Sequence, residues 1–273
     1  MSLHLNSITD ANVGPCVLSW LVKKGMDEYD SIFVTDDGKY FHIGREMFDA
    51  VSGDKIGSFI FTIKKEGRSL QMLDLDLVLN NDTPTLLKFD SLRPGSSDAK
   101  QYYNAVTVDT ERHLELETVN HHVKSGELSG RETEAYISVF PFELRVYKDI
   151  DAFFEHMGHI SYATAESRGE REHRLSEGFI MPGGLFNSRK QEDESYSLLL
   201  GRVLSMRDVS VVLGDVELSF VLAKVDTALG NVPMAMGREV FDLSSLRIGS
   251  IVAMNASVNA DVAKYEDFEH PRG

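Results

Sequence analysis

Apolar and polar residues alternate along most of this chain, which is the period of a half-buried strand rather than the spacing of a helix. SIFVTD and KYFHIG read as strands and flank Asp36-Asp37-Gly38, whose Asp-Gly pair signals a hairpin. VELSFVLAKVDT and VPMAMG repeat that arrangement around Ala228-Leu229-Gly230-Asn231. LQMLDLDLVL places Leu73, Leu75, Leu77 and Leu79 on one face and Asp74 and Asp76 on the other, with Gln71 breaking the pattern at its start. LLKFDSL, YYNAVTVD and LELETV read as further strands. AYISVFPFELRVY is the most apolar of them, and Pro141 requires it to bend or to lie at an edge. Helical spacing is clear in one place: Asp149 caps DAFFEHM, Ile150, Phe153, Phe154 and Met157 share a face, and Gly158 ends it. Met181-Pro182-Gly183-Gly184 reads as a turn, ESRGEREHR as a solvated helix or linker, and SRKQEDES as a charged hinge.

The same pattern contains a repeat. GREMFDAVSGDKIGS begins at Gly44 and GREVFDLSSLRIGS at Gly237; with one gap at Gly53, nine of fourteen pairs are identical. Random pairing at average composition gives about one. Upstream, Val17-Leu18-Ser19 mirrors Val203-Leu204-Ser205 and Phe33-Val34 mirrors Phe220-Val221, at nearly equal spacing. These matches predict a duplicated unit of order strand, strand, strand, turn, strand. In it Gly44 and Gly237 end a strand, Phe48 and Phe241 plug the sheet, and Gly57 and Gly249 permit a bend. The predicted fold is α+β and predominantly β. Two small sheet or barrel units, OB-like or SH3-like, flank a strand-rich centre with one short helix. The expected divisions are 1–78, 79–190 and 191–273, with a flexible tail.

Charge narrows the partners. Lys and Arg number 28 against 43 Asp and Glu, a formal charge of −15. That field repels nucleic-acid backbones and anionic membrane surfaces. Aromatic stacking beside Lys39, at Tyr40 and Phe41, would suit a single-stranded nucleic acid, but the same positions suit a sheet core. Cys16 is the one cysteine, so an internal disulfide is impossible, and its apolar setting in CVLSWLV reads as a buried thiol. The N-terminus lacks the form of a signal peptide, and no run approaches the length of a membrane-spanning helix, so a cytoplasmic protein is expected.

Catalytic signals are sparse. The chain contains no P-loop, no G-x-S-x-G elbow, no H-E-x-x-H and no EF-hand loop. Six of its nine histidines fall between 113 and 173. Among them His156, His159 and His173, near Glu170 and Glu172, form the candidate for zinc or another divalent metal. The Gly158 stop works against convergence of His156 and His159, and no cofactor is otherwise expected. The repeat offers a second candidate set, the equivalent pairs Arg45-Glu46 and Arg238-Glu239. The expected function is a non-enzymatic binding or scaffold protein acting through a protein partner or self-association. A metal-assisted enzyme using the central histidines and an OB-like single-stranded nucleic-acid binder are the alternatives.

Overall fold

Among the described residues thirteen strands form two sheets, with one short helix beside them. The computed structural model describes residues 7–9, 29–34, 38–93, 96, 100–119, 128–156, 180–182 and 197–262. The four-stranded sheet runs in chain order: β1 (Ser31–Val34), β2 (Tyr40–Phe48), β3 (Lys55–Glu66) and β4 (Ser69–Leu79), all antiparallel. The nine-stranded sheet holds β5 (Thr85–Leu92), β6 (Gln101–Thr107), β7 (His113–Thr118), β8 (Glu132–Tyr147), β9 (Ile180–Pro182), β10 (Ser197–Leu213), β11 (Val216–Thr227), β12 (Gly230–Gly237) and β13 (Ile251–Val262). The helix α1, residues 150–156, has the expected cap: the Ala152 amide donates to Asp149 Oδ1 at 2.9 Å. No described helix is long and apolar enough to cross a membrane.

Pairing closes the larger sheet on itself twice. One ring runs β10, β11, β12, β8, β13 and back to β10; its single parallel contact joins β12 to β8. The other runs β5, β6, β7, β13, β8 and back to β5; its parallel contact joins β7 to β13. Both rings share the antiparallel pair β8–β13. Their apolar interior is continuous, from Leu87, Phe89 and Tyr103 through Ile137 and Val258 to Val225 and Met234. Pro141 sits inside β8, which tolerates it at a bulge: the register with β13 jumps between Asn255 and Ala256. A second core packs the leucine face of β4 and Phe59, Phe61 and Ile63 of β3 against Phe140, Val211 and Phe220.

The repeated phrase takes two conformations. In its first copy Gly44 lies in the middle of β2, paired with both β1 and β3, and does not end a strand. The chain then turns over 49–54 directly into β3. In the second copy Gly237 ends β12, and residues 238–250 form a chain of turns before β13, which is not a neighbour of β12. Phe48 does not plug the sheet. The strand continues through it, so alternation buries Met47 at 1 % exposure and leaves Phe48 at 48 %. Phe241 packs against the barrel interior while half-buried. One local role is common to both copies. Asp49 Oδ1 accepts from the Val51 amide at 3.3 Å and Asp242 Oδ1 from the Ser244 amide at 3.1 Å, an Asx turn in each case.

Two other expectations need correction. Met181 and Pro182 belong to β9, which pairs with Ser197–Leu199 of β10 instead of forming a turn. In β4 a bulge opposite Thr62 and Ile63 displaces Leu73, which is exposed, and Met72 packs on the core in its stead, while Leu75, Leu77 and Leu79 keep the expected face. Asp76, expected on the solvent face, is fully buried.

Candidate functional site

Two features stand out at the junction between the sheets. The first is a cleft of about 210 Å³. Its rim is the β4–β5 loop, Asn80 to Asp82; its opposite wall is β10 at Ser205, Met206 and Arg207, and its floor includes Leu222 and Pro233. β10 bulges at this point, the register with β11 jumping between Val203 and Ser205. A bulge re-aims the side chains that follow it. The rim is fixed by its own amides. Asn80 Nδ2 donates to the Lys55 carbonyl at 2.8 Å and Asn81 Nδ2 to the Ile137 carbonyl at 3.0 Å.

Both cations at the cleft are held by carboxylates. Lys224 Nζ lies 3.2 Å from Asp82 Oδ1, and this hydrogen bond, more than any other contact, holds the Asp82 carboxyl below its usual range. Arg207 Nη1 donates to Asp49 Oδ2 at 2.9 Å and lies 3.6 Å from Asp54. Asp49 thus joins its own Asx turn to β10, whose Ser210 amide also donates to it at 3.3 Å. Burial pushes the Asp49 carboxyl up. Hydrogen bonds from Ser52, Val51 and Ser210 and the charge of Arg207 together outweigh that and leave it below the ordinary value.

The second feature is a buried charge cluster. Asp74 and Asp76 of β4 and Glu117 of β7 bring carboxylate oxygens within 4.8 Å of one another. Lys100, just before β6, reaches into them. Its Nζ hydrogen-bonds Asp74 Oδ2, lies 3.1 Å from Glu117 Oε1 and 3.6 Å from Asp76 Oδ1, and sits 5.8 Å from the Tyr102 ring centre. The side chains of Asp76 and Glu117 are almost dry, while those of Lys100 and Asp74 keep 23 % and 21 % exposure. Burial works against the Lys100 ammonium, but Asp76, Glu117 and Asp74 outweigh it and hold the group charged above the usual lysine range. Burial, then the charge of Asp76, pushes the Glu117 carboxyl well above the carboxylate range despite Lys100. Burial and Glu117 push the Tyr102 phenol up as well. Three oxygen ligands of this kind suit a hard divalent cation. Here the ammonium takes the place such an ion would take.

The residues singled out from sequence lie apart from both features. Arg45 and Glu46 are within β2, with Glu46 ion-paired to Lys55 and its amide bonded to Asp30 Oδ2 at 2.7 Å. Arg238 and the exposed Glu239 follow β12, Arg238 holding Asp208 at 2.7 Å. The two pairs therefore do not share a setting. His156 ends the described part of α1, its Nε2 2.9 Å from Arg145 Nη1 and its ring against Tyr147. His159 and His173 lie outside the described residues, as does Cys16. Phe41 packs on the second core, with Lys65 Nζ 6.0 Å from its ring centre. Of the charge cluster, the sequence pattern shows Asp74 and Asp76 on the face opposite Leu75, Leu77 and Leu79, where they lie, but not that this face is covered. Lys100 lies between the segments LLKFDSL and YYNAVTVD, and nothing in the sequence marks it. The sequence and fold match no family model, no curated protein and no solved structure.

Proposed function

We propose that this chain is a non-enzymatic, cytoplasmic binding or scaffold protein that works by protein–protein contact, with the cleft between the β4–β5 loop and β10–β12 as its point of contact. The observation that carries the reading is the composition of that cleft. An apolar floor, Leu222 and Pro233, with Met206 on the wall beside it, is ringed by amides and by two cations that are both engaged in ion pairs. Such a surface is set in shape before a partner arrives, which lowers the ordering cost of association. Among the described residues lining it there is neither histidine nor cysteine, and Lys224, which pairs across the strands with Ser205, is engaged by Asp82 at 3.2 Å. The reading needs no cofactor.

The two rings are not the expected duplicated units: copy 1 of the repeat lies in the open four-stranded sheet, and the rings are drawn from β5–β8 and β10–β13. Each ring taken by itself is a five-stranded closure with one parallel contact, an arrangement like that of an OB-type barrel, and the cleft lies over β11 and β12. That analogy concerns fold alone. The charge of −15 and the paired state of Arg207 and Lys224 weigh against an oligonucleotide as the occupant.

The test is site-specific photocrosslinking from Met206 in the cytoplasm of the source cells, compared with the same probe in a Leu222→Asp background. One protein adduct of defined mass, lost on Leu222→Asp, is the expected result. The absence of any protein adduct, or turnover of a small molecule that Leu222→Asp abolishes, would overturn the reading.

A further inference from the structure

β10 has β11 along one edge, but the cover on its other edge changes along the strand. Residues Ser197 to Arg202 pair with β13. Beyond them the cover comes from the two copies of the repeated phrase. From the second copy, the Gly249 amide donates to the Val203 carbonyl at 2.8 Å, and the Ser250 carbonyl accepts from the Val203 amide at 2.9 Å. From the first, the Ala50 amide donates to the Ser210 carbonyl at 2.7 Å, and Asp49 Oδ1 accepts from the Ser210 amide at 3.3 Å. Residues 204–209 lie between these two anchorages.

Parity tells which backbone groups in that gap point outward. In an antiparallel ladder alternate residues turn both their amide and their carbonyl to the same side. The register with β11 is unbroken from Ser205 to Leu213, and Ser210 faces away from β11, so Asp208 and Met206 face away too. Among the described residues, nothing bonds the backbone amide or carbonyl of either. Ser205, Arg207 and Asp208 are exposed and Met206 is half-buried, so this length of edge is open to solvent. An open strand edge is a template for another chain.

We infer that this gap takes an extended segment of a partner polypeptide as an added strand, with an acidic residue opposite Arg207 and apolar residues to either side. The inference rests on the reading of the adjoining cleft as a protein-contact site, since Ser205, Met206 and Arg207 are both its wall and the edge of the gap. Met206 and Asp208 each offer the added strand one donor and one acceptor. Arg207 meets Asp49, Ser52 and Asp54 through Nη1 alone, which leaves its other nitrogens to donate to a carboxylate across the new pair. Exposed apolar side chains mark the gap: Leu204 within it, Ile248 beside Gly249 at one end and Val51 beside Ala50 at the other. At the rise of a strand the gap spans about 20 Å, room for about six residues. A second copy of this chain does not fit, because its own β10, seventeen residues long, runs past both anchorages. The occupant is a short tail or loop of another protein.

The probe is a random peptide library displayed on phage and selected on the immobilised chain, with the selected peptide then synthesised. Hydrogen exchange reads the edge directly. Without peptide, the Arg207 and Val209 amides, which face β11, should be protected and those of Met206 and Asp208 should not; with a peptide of acidic centre and apolar flanks, all four should be. Met206→Pro removes an outward amide and no bond to β11, and should weaken the peptide at least about ten-fold. Val212→Pro, which removes an outward amide past the Ser210 anchorage, should leave binding as it was. Protection of Met206 and Asp208 in the unbound chain, or no selected peptide that protects them, overturns the added strand. A peptide lost on Leu222→Asp yet indifferent to Met206→Pro upholds the cleft and refutes the edge. Should Met206→Pro fail to fold, the peptide backbone decides instead: N-methylation at alternate residues should abolish binding in one parity and spare it in the other, and tolerance of both refutes the pairing.

Discussion

Met47 and Phe48 are neighbours, and ranking them by side-chain size puts the wrong one inside. Met47 fills the second core, with its methyl passing over Gly57, where an added Cβ would sit 2.9 Å from it and 2.0 Å from the Val78 carbonyl oxygen. Gly57 is glycine because backbone approaches it closely. Its repeat partner Gly249 has open space around it and a φ of 89°, so it is glycine for conformation. Identical letters therefore answer different demands. Met47→Ala should cost roughly 2–5 kcal/mol and Phe48→Ala about 0.5 kcal/mol or less, read from urea midpoints at constant slope. Equal costs would contradict the assigned faces. The Asp149 cap was legible from sequence because capping is local. The burial of Asp76 was not, because alternation shows only that it faces away from Leu75, Leu77 and Leu79, and the groups that cover that face, Lys100 and Glu117, come from beyond the next strand.

At the level of elements, most strands were visible as alternation, and their partners were not. The phrase beginning at Gly44 becomes a hairpin because β2 and β3 pair with each other; the phrase beginning at Gly237 becomes a chain of turns because β12 and β13 each pair with β8. Periodicity reports which face of a strand is apolar and is silent on what lies beside it. The outer edge of β4 shows how such neighbours are chosen. Its backbone is satisfied by side chains: Ser138 Oγ takes the Leu79 amide and donates to the Leu79 carbonyl at 3.2 Å, and Asn259 Nδ2 donates to the Leu77 carbonyl at 2.9 Å. An edge covered in this way is closed to other chains. Ser138→Ala leaves two buried backbone groups unmatched and should cost about 1–3 kcal/mol, against about zero for Ser69→Ala at the exposed start of β4. Comparable losses for both, measured by urea unfolding, would show that the edge is not held this way.

Across the whole molecule, the two sheets are joined by ion pairs. The Asp49–Arg207 contact weakens toward acid: a carboxyl held below its ordinary value contributes stability that is complete above the unfolded value, ~3.9, and is lost as pH falls through the folded one. Asp49→Asn should therefore be less stable than wild type at pH 7, and the gap should close as pH drops below about 4. A gap that stays constant down to pH 2 would mean that the carboxylate charge is irrelevant there. Neither junction was readable in the sequence, since Asp49 and Arg207 are separated by 158 positions.

The shared pair β8–β13 also bears on synthesis. A ribosome delivers β5 to β8 early, yet both rings need β13, the last strand in the chain order. While translation proceeds, neither barrel can close, and β8 waits with one edge unsatisfied. The apolar interior that the two rings share is therefore completed only after Ile251–Val262 has left the exit tunnel, and the strands made before it wait with their inner faces uncovered.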